Sequence, residues 1–152
     1  MTGSLELSLV EGSREPFLPL LLEADESEPA VRSYLEEGEL FAILSDGVVA
    51  GEMLVLRDGE EMEIKSIAVA EDLRGRGIGR GAIELLAERA AASGVGRLIV
   101  GTADAAPGTH RFYLRSGFRY AGVRRGFFEA YPEPVLEDGL VVRDMVLFDR
   151  EL

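Results

Sequence analysis

The chain has 152 residues, of which 47 % are hydrophobic and 29 % are charged; it carries no cysteine and a formal net charge of −12. This length and composition predict one globular domain over residues 1–152, too short for two. The negative charge argues against nucleic acid as a partner. The lack of cysteine excludes a disulfide scaffold and thiolate metal sites, and no apolar run approaches the length of a membrane span.

Acidic residues are concentrated in the first part of the chain. Residues 1–63 hold 16 Asp and Glu but three Arg, whereas residues 64–152 are nearly neutral. A solvated acidic surface is the simpler interpretation, and a pocket for a cationic acceptor is the alternative. The first residues lack both a basic and an apolar stretch, so we predict no signal peptide and a cytoplasmic protein.

Hydrophobic periodicity in the first half predicts one strand, two short helices and three further strands. The ranges are a strand over 5–10, helices over 17–24 and 29–37, and strands over 40–45, 48–57 and 61–69. Asp46-Gly47 and Asp58-Gly59 are strong hairpin signals between the last three strands. We therefore expect an antiparallel meander here.

The second half alternates helices with strands. We predict a helix over 77–92, a strand over 97–102, a helix over 104–116, and strands over 118–123 and 139–148, the last with a polar interruption at 143–144. The short apolar strand over 97–102 is expected to be buried and parallel to the strand before the long helix. Asp104 is the predicted N-cap of its helix, and Gly117 follows the end of that helix.

A glycine-rich segment before the long helix carries the clearest functional signal. Glycines at 75, 77, 79 and 81 are interleaved with Arg74, Arg76 and Arg80. Glycines at a helix N-terminus let backbone N–H groups approach a phosphate, and arginines add donors suited to pyrophosphate. A Walker A loop is rejected because Gly-Lys-Ser/Thr is absent. A dinucleotide fingerprint fits the spacing from Gly77 to Ala82, but about seven residues separate it from its strand, which argues against it.

Two motifs resemble signatures of the GCN5-related N-acetyltransferase (GNAT) superfamily. Arg74-x-x-Gly77-x-Gly79, after Ile67-Ala68-Val69, is similar to the acyl-CoA loop of that family, and Tyr113 followed by Gly117-Phe118 is similar to its second signature. The tail further resembles a bacterial subgroup of unassigned substrate. The resemblance covers essentially the whole chain and implies an α+β fold, with a mixed sheet of about seven strands and four helices in the order β-α-α-β-β-β-α-β-α-β-β.

The resemblance implies acetyl transfer from acetyl-CoA to a primary amine, by direct attack through a tetrahedral intermediate. The family often carries an Asn after the fifth strand that helps to hold the pantetheine; here Asp104 stands nearest, and it lacks the amide donor. The other coenzyme residues implied by the resemblance belong to the strand before the loop and to the loop itself: Ile67, Ala68, Val69, Arg74, Gly75, Arg76, Gly77, Ile78, Gly79 and Arg80.

The resemblance also implies two proton-transfer residues. Tyr113 matches the family's general acid, which protonates the departing thiolate. Glu63 occupies a position where many relatives carry a carboxylate that removes the amine proton through water; a solvent-facing glutamate at the sheet edge is the alternative.

The implied partner is a small-molecule or peptide amine, cationic if the acidic part of the chain lines its site. No metal is expected, because the chain has one histidine and no cysteine. Dimers are common in the family, which leaves a homodimer open. A non-catalytic acyl-CoA-binding sensor on the same fold is the alternative function.

Overall fold

The computed structural model describes residues 4–152, which form a mixed sheet with four α-helices and a separate hairpin. The elements are β1 (Leu5–Leu9), α1 (Leu18–Ala24), α2 (Glu28–Tyr34), β2 (Glu39–Ser45), β3 (Val48–Asp58), β4 (Glu61–Val69), α3 (Ile78–Ala92), β5 (Arg97–Ala103), α4 (Pro107–Arg115), β6 (Arg119–Arg124), β7 (Val135–Glu137), β8 (Leu140–Val142) and β9 (Met145–Glu151). Short 3-10 helices cover Glu15–Phe17, Glu71–Leu73 and Phe127–Ala130.

The central sheet has seven strands in the order β1-β2-β3-β4-β5-β9-β6, and β7 pairs with β8 outside it. The predicted α+β fold, with its seven-stranded sheet and four helices, is confirmed. The meander from β2 to β4 is antiparallel, as the two Asp-Gly turns predict. No helix in the described part of the chain is long and apolar enough to cross a membrane.

The parallel pair formed by β4 and β5 separates partway along its length. The two strands share a register only over the first four residues of β4, which end at Ile64 opposite Val100. Beyond this point β4 continues to Val69 and β5 continues to Ala103. The sheet therefore has a gap between the carboxyl ends of these two strands.

A bulge on β4 lies where the separation begins. Leu54 of β3 pairs with Ser66, whereas the next residue, Val55, pairs with Ile64, so Lys65 is an extra residue on β4. A bulge bends its strand and increases the local twist. It therefore accounts for the divergence of β4 from β5.

Two hydrophobic clusters cover the two faces of the sheet. Met53 and Leu54 follow each other on β3, so their side chains point to opposite faces. Met53 belongs to the larger cluster, with the buried side of α3 and with Tyr113 of α4. Leu54 belongs to the smaller cluster, with Leu21 of α1 and Val31 of α2. Helices α3 and α4 thus cover one face, and α1 and α2 cover the other.

Three predicted elements have wrong boundaries. The predicted helix over 29–37 ends at Tyr34. The predicted strand over 139–148 is divided: β8 pairs with β7, and β9 enters the central sheet between β5 and β6. The predicted helix over 104–116 begins at Pro107, and Ala106 rather than Asp104 is its N-cap residue. Asp104 instead forms hydrogen bonds with the backbone of Asp144, between β8 and β9. Its Oδ2 accepts the N–H of Asp144 at 3.1 Å, and its own N–H donates to the Asp144 carbonyl at 3.1 Å.

Candidate active site

Two cavities meet at the gap between β4 and β5. We call the first, of about 650 Å³, the glycine-loop cavity, because the loop before α3 lines it. We call the second, of about 370 Å³, the acidic cavity, because Glu23 of α1 and the two residues that follow the helix, Asp25 and Glu26, line its wall. Six residues line both cavities: Ile67, Ala68, Val69, Arg74, Thr109 and Tyr113.

The loop backbone of the glycine-loop cavity requires glycine. Gly75 and Gly77 have φ angles of 78° and 79°, in the left-handed region that L residues rarely adopt. The first backbone bond of α3 runs from Gly81 N–H to the Gly77 carbonyl. The N–H groups before Gly81 therefore have no partner within their own helix, and they stand at its positive end. This terminus suits an anion.

Helix α4 forms the wall of the glycine-loop cavity opposite the start of α3. A Cβ on Gly79 would lie 3.2 Å from the ring of Phe112, so the two helices approach each other more closely there than a larger residue would permit. A Cβ at residue 79 would therefore require the Phe112 ring to shift by a few tenths of an ångström, whereas Gly77 is a glycine for its backbone conformation.

Most residues that the sequence predicts for the coenzyme come together in the glycine-loop cavity. These are Ile67, Ala68, Val69, Arg74, Gly75, Gly77, Ile78, Gly79 and Arg80. Arg76 and Asp104 line neither this cavity nor the acidic one. Asp104 is held by Asp144 instead, as described above.

Arg74 connects the two cavities. Its Nε donates to the Val69 carbonyl at 3.0 Å, and its Nη2 lies 3.4 Å from a carboxylate oxygen of Glu23 on α1. The arginine therefore fixes the start of the loop against the end of β4, and it places a positive charge at the boundary between the cavities.

Tyr113 lies at the junction of the cavities and is 5 % exposed. Its ring packs among Phe112, Phe118 and Phe148, with centroid distances of 5.1 to 5.7 Å. Burial raises the pKa of Tyr113 above its ordinary value, and the negative charge of Glu52 raises it further. The phenol therefore keeps its proton at neutral pH and is available as a donor.

Asp25 joins distant parts of the chain at the acidic cavity. Its Oδ2 accepts hydrogen bonds from the hydroxyls of Tyr34 at 3.1 Å and Tyr131 at 3.0 Å. Burial raises the pKa of both phenols, and the charge of Asp25 adds to the effect. Sequence reasoning missed this arrangement, because Asp25 and Tyr131 are 106 residues apart.

Two aromatic rings in the acidic cavity contact the ammonium group of the protein's own Lys65. Lys65 Nζ lies 5.0 Å from the ring centroid of Tyr34 and 5.7 Å from that of Phe127. These distances are within the range of a cation–π interaction. Four carboxylates and two cationic side chains line the cavity: Glu23, Asp25, Glu26, Glu137, Lys65 and Arg74. The wall thus has an excess of negative charge as well as rings that accept a cation.

Sequence reasoning also missed Glu52, which is 0 % exposed in the middle of β3. Its Oε2 accepts a hydrogen bond from Ser66 Oγ at 3.1 Å, and its Oε1 has no hydrogen-bond partner among residues 4–152. Burial raises the pKa of the Glu52 carboxyl to about 8, against the lowering effect of the Ser66 bond. The sequence feature that could have indicated Glu52 is that it is the one glutamate within the apolar run after Asp46-Gly47.

The predicted base Glu63 is half-buried on β4, between Leu56 of β3 and Ile99 of β5, and lines neither of the two cavities. His110 lies on α4 with its Nε2 2.9 Å from the Ala103 carbonyl, and it packs against Phe148. That contact gives the histidine a structural role. Residues 4–152 contain no group of three or more His, Asp or Glu placed to hold a metal ion.

Comparisons with known proteins agree with this geometry. The model of the Acetyltransferase (GNAT) family matches residues 8–118. The chain is 32 % identical over 144 residues to the uncharacterized N-acetyltransferase YvbK of Bacillus subtilis (strain 168), and the match covers 93 % of each chain. It is similar to the crystal structure of a Bacillus subtilis acetyltransferase in complex with CoA, with 31 % identity, a TM-score of 0.87, and coverage of 98 % of this chain and 99 % of that one.

A second solved structure is similar to the same extent. It is a GNAT family acetyltransferase from Elizabethkingia anophelis with acetyl-CoA bound, with 33 % identity and a TM-score of 0.87. The match covers 98 % of this chain and 97 % of that one. Both comparisons extend well beyond residues 8–118, so they include the segments that line the acidic cavity.

Proposed function

Because the chain belongs to the Acetyltransferase (GNAT) family and is an acetyl-CoA-dependent acetyltransferase, we propose that its acceptor is a primary amine that carries additional positive charge. The observation that carries this proposal is the meeting of two cavities of opposite character at Tyr113. One offers a positive helix end and glycine backbone, and the other offers carboxylates and aromatic rings.

In this proposal the glycine-loop cavity holds the coenzyme. The unpaired N–H groups at the start of α3 bind the pyrophosphate, and Arg74 and Arg80 supplement them. Bound acetyl-CoA supplies the activated thioester. The open left-handed glycines support this assignment, since nothing lies within 4 Å of the position that a Cβ would take at Gly75 or Gly77.

The main chain of β4 from Ile67 to Val69 holds the pantetheine arm. This stretch pairs with β3 on one side, and it has lost its register with β5 on the other. Its N–H groups on the β5 side are therefore available for pairing in the manner of strand addition, whereas the Val69 carbonyl already accepts a hydrogen bond from Arg74 Nε. An N–H group there also stabilises the negative charge that develops on the carbonyl oxygen when the amine attacks.

Tyr113 donates its proton to the thiolate as the carbon–sulfur bond breaks. The amine attacks the thioester carbonyl directly, and the tetrahedral intermediate collapses with departure of the thiolate. A buried phenol that stays protonated suits this step. Glu63, acting through water, stays a prediction for the removal of the amine proton.

The acidic cavity binds the acceptor. Its four carboxylates outnumber its two cationic side chains, so the cavity attracts an acceptor with more than one positive charge. The rings of Tyr34 and Phe127 hold the ammonium of Lys65 and not that of the acceptor. The net charge of −12 makes the whole molecule attractive to such a substrate.

In our proposal, residues 1–152 form a single domain that carries out this reaction. The strands β1 and β9, from opposite ends of the chain, are both parts of the central sheet, which supports a single domain. A cytoplasmic location and a homodimer stay predictions.

The test is a panel of amines with release of the CoA thiol as the readout. Matched acceptors such as 1,5-diaminopentane and 5-amino-1-pentanol differ in one charged group, so their kcat/KM ratio reports the preference for charge. We expect the diamine to be favoured by about tenfold at low salt, with the ratio falling as salt rises. Equal kcat/KM values at all salt concentrations would reject a cationic acceptor. Binding of acetyl-CoA without turnover of any amine would favour the sensor function.

A further inference from the structure

The buried pair formed by Glu52 and Ser66 has no role in the reaction described so far. Among residues 4–152 the buried polar side chains are those of Glu52, Ser66 and Ser116. Ser116 is explained by its place at the end of α4, where its hydroxyl donates to the Phe112 carbonyl. Glu52 is not explained in this way. A buried carboxyl oxygen without a partner costs folding free energy, so its retention calls for a functional reason.

The pair lies directly behind the wall of the acidic cavity. Glu52 is opposite Ala68 in the antiparallel β3–β4 ladder, so the two side chains project from the same face of the sheet. Ala68 lines both cavities, and Ser66 lines the acidic cavity. The Ser66 hydroxyl therefore connects the cavity to a carboxylate that the cavity does not reach itself.

This position matches a step that amine acetylation requires. An ammonium group cannot attack a carbonyl, and the nitrogen of the tetrahedral intermediate must also lose a proton. We propose that Ser66 Oγ accepts the proton from the amine nitrogen while it transfers its own hydroxyl proton to Glu52. The nitrogen becomes neutral, Ser66 ends as a hydroxyl, and the Glu52 carboxylate ends as a carboxylic acid. This inference rests on the proposed function, and it assigns the base that Glu63 would otherwise supply.

The surroundings of Glu52 make it a suitable proton acceptor. Burial raises the pKa of this carboxyl to about 8, so it holds a proton far more strongly than an exposed glutamate. The charge of Glu52 acts on Tyr34 of α2 and Tyr113 of α4. The elements in contact with β3 also carry Lys65 on β4, Glu23 on α1 and Asp25 at the C-cap of α1. None of them is within salt-bridge or hydrogen-bond distance of the Glu52 carboxylate among the described residues.

Glu52 and Tyr113 are also coupled electrostatically. The negative charge of Glu52 contributes to raising the pKa of Tyr113. When Glu52 receives the amine proton, that charge disappears and the phenol becomes a stronger acid. The thiolate departs after the amine has attacked, so Tyr113 is a stronger donor when its proton is needed.

The test compares Glu52→Gln with Glu63→Gln, two changes that remove one carboxylate each from neighbouring strands. The measurement is kcat from pH 6 to 10, at saturating acetyl-CoA and saturating acceptor. In the wild type kcat should rise as pH passes through about 8, because Glu52 accepts a proton only when ionised. Glu52→Gln should lower kcat by about 100-fold and remove this rise. Glu88→Gln, exposed on α3 and outside both cavities, is the control and should keep both the rate and the profile. Glu63→Gln separates the two candidate bases, because the rise disappears in the variant that has lost the base.

Serine variants test the relay separately from the carboxylate. Ser66→Ala should lower kcat as Glu52→Gln does, Ser66→Thr should restore most of it, and the double variant Glu52→Gln/Ser66→Ala should be no slower than either single one. Unchanged acetyl-CoA affinity, measured by calorimetry, shows that a variant is folded. If Glu52→Gln does not fold, the difference in kcat between Ser66→Ala and Ser66→Thr still tests the relay.

Three outcomes overturn the inference. One is a wild-type pH profile in Glu52→Gln, another is loss of the rise in Glu63→Gln alone, and the third is equal activity of Ser66→Ala and the wild type. Failure of the proposed function would give a different result, because the wild-type protein itself would then release no CoA with any of the amines.

Discussion

The glycine-loop cavity and the acidic cavity share the end of β4, but the chain builds their remaining walls in different ways. The glycine-loop cavity takes most of its wall from residues 67–80 and from α4, and it offers backbone N–H groups and arginines. The acidic cavity shares Thr109 and Tyr113 of α4, and it takes the rest of its wall from α1, α2, β4, β5, the segment 127–131, β7 and β9. It offers side-chain carboxylates and rings. The first needs a backbone conformation, whereas the second needs side chains from distant parts of the chain.

This difference has a consequence for how substitutions act. In a backbone site a substitution acts through chain geometry, so glycines matter more than charges. In a side-chain site each residue contributes its own charge or ring, and single substitutions have smaller effects that depend on salt. Tyr113 at the shared wall, and the buried Glu52 behind it, should affect the chemical step rather than either binding step.

The largest expected effect is on stability and comes from the ionisation of Glu52. Its pKa is raised to about 8 in the folded protein from an ordinary 4.5. The stabilisation is therefore fully present below pH 4.5, and it is lost as pH rises through 8. On the order of several kcal/mol of unfolding free energy should disappear over this window. Glu52→Gln should lack this component, as urea unfolding between pH 5 and 9 can measure. Parallel curves for variant and wild type would mean that Glu52 has an ordinary pKa.

Tyr113→Phe should lower kcat by about 100-fold, because the thiolate would leave without a proton donor. The affinity for acetyl-CoA should stay unchanged, since the ring and its packing remain. Steady-state kinetics and calorimetry measure the two quantities. Tyr120→Phe is the matched control, because Tyr120 is 59 % exposed on β6 and lines neither cavity. Wild-type turnover of Tyr113→Phe across the pH range would remove the acid assignment.

Gly77→Ala should weaken acetyl-CoA binding by about tenfold, because a left-handed conformation costs an L residue about 1–2 kcal/mol and the loop would change shape to avoid it. Gly59→Ala is the control: Gly59 has φ 63° and open space around it, but it lies in the β3–β4 turn. Both variants should lose similar stability, and only the first should lose affinity. Equal affinities would show that the loop backbone does not hold the coenzyme.

Asp25→Asn should raise the KM for a diamine acceptor by about threefold to tenfold at low salt, because it removes one negative charge from the acidic cavity. The amide oxygen can still accept the bonds of Tyr34 and Tyr131. The KM for acetyl-CoA should not change. Glu88→Gln, on the exposed side of α3, makes the same change in net charge away from the cavity. If the two variants have the same KM, the effect belongs to the net charge of the protein and not to the acidic cavity.

The features of residues 67–80 that we propose bind the coenzyme follow from the local sequence. Gly77 is required by a local φ angle, and the N–H groups after it are unpaired because a helix begins there; both facts depend on neighbours along the chain. The order of strands and helices was predictable for the same reason, since hydrophobic periodicity and Asp-Gly turns are local signals.

The proposed base and the proposed acceptor site depended on tertiary structure instead. Glu52 is one glutamate in an apolar strand until the ladder sets it opposite Ala68 and behind Ser66. Asp25 meets Tyr131 only in the folded chain, and Asp104 accepts the N–H of Asp144 rather than capping α4. Burial and pairing between distant residues determine the pKa of a carboxyl and the partners of a side chain, and neither is encoded in a local stretch of sequence.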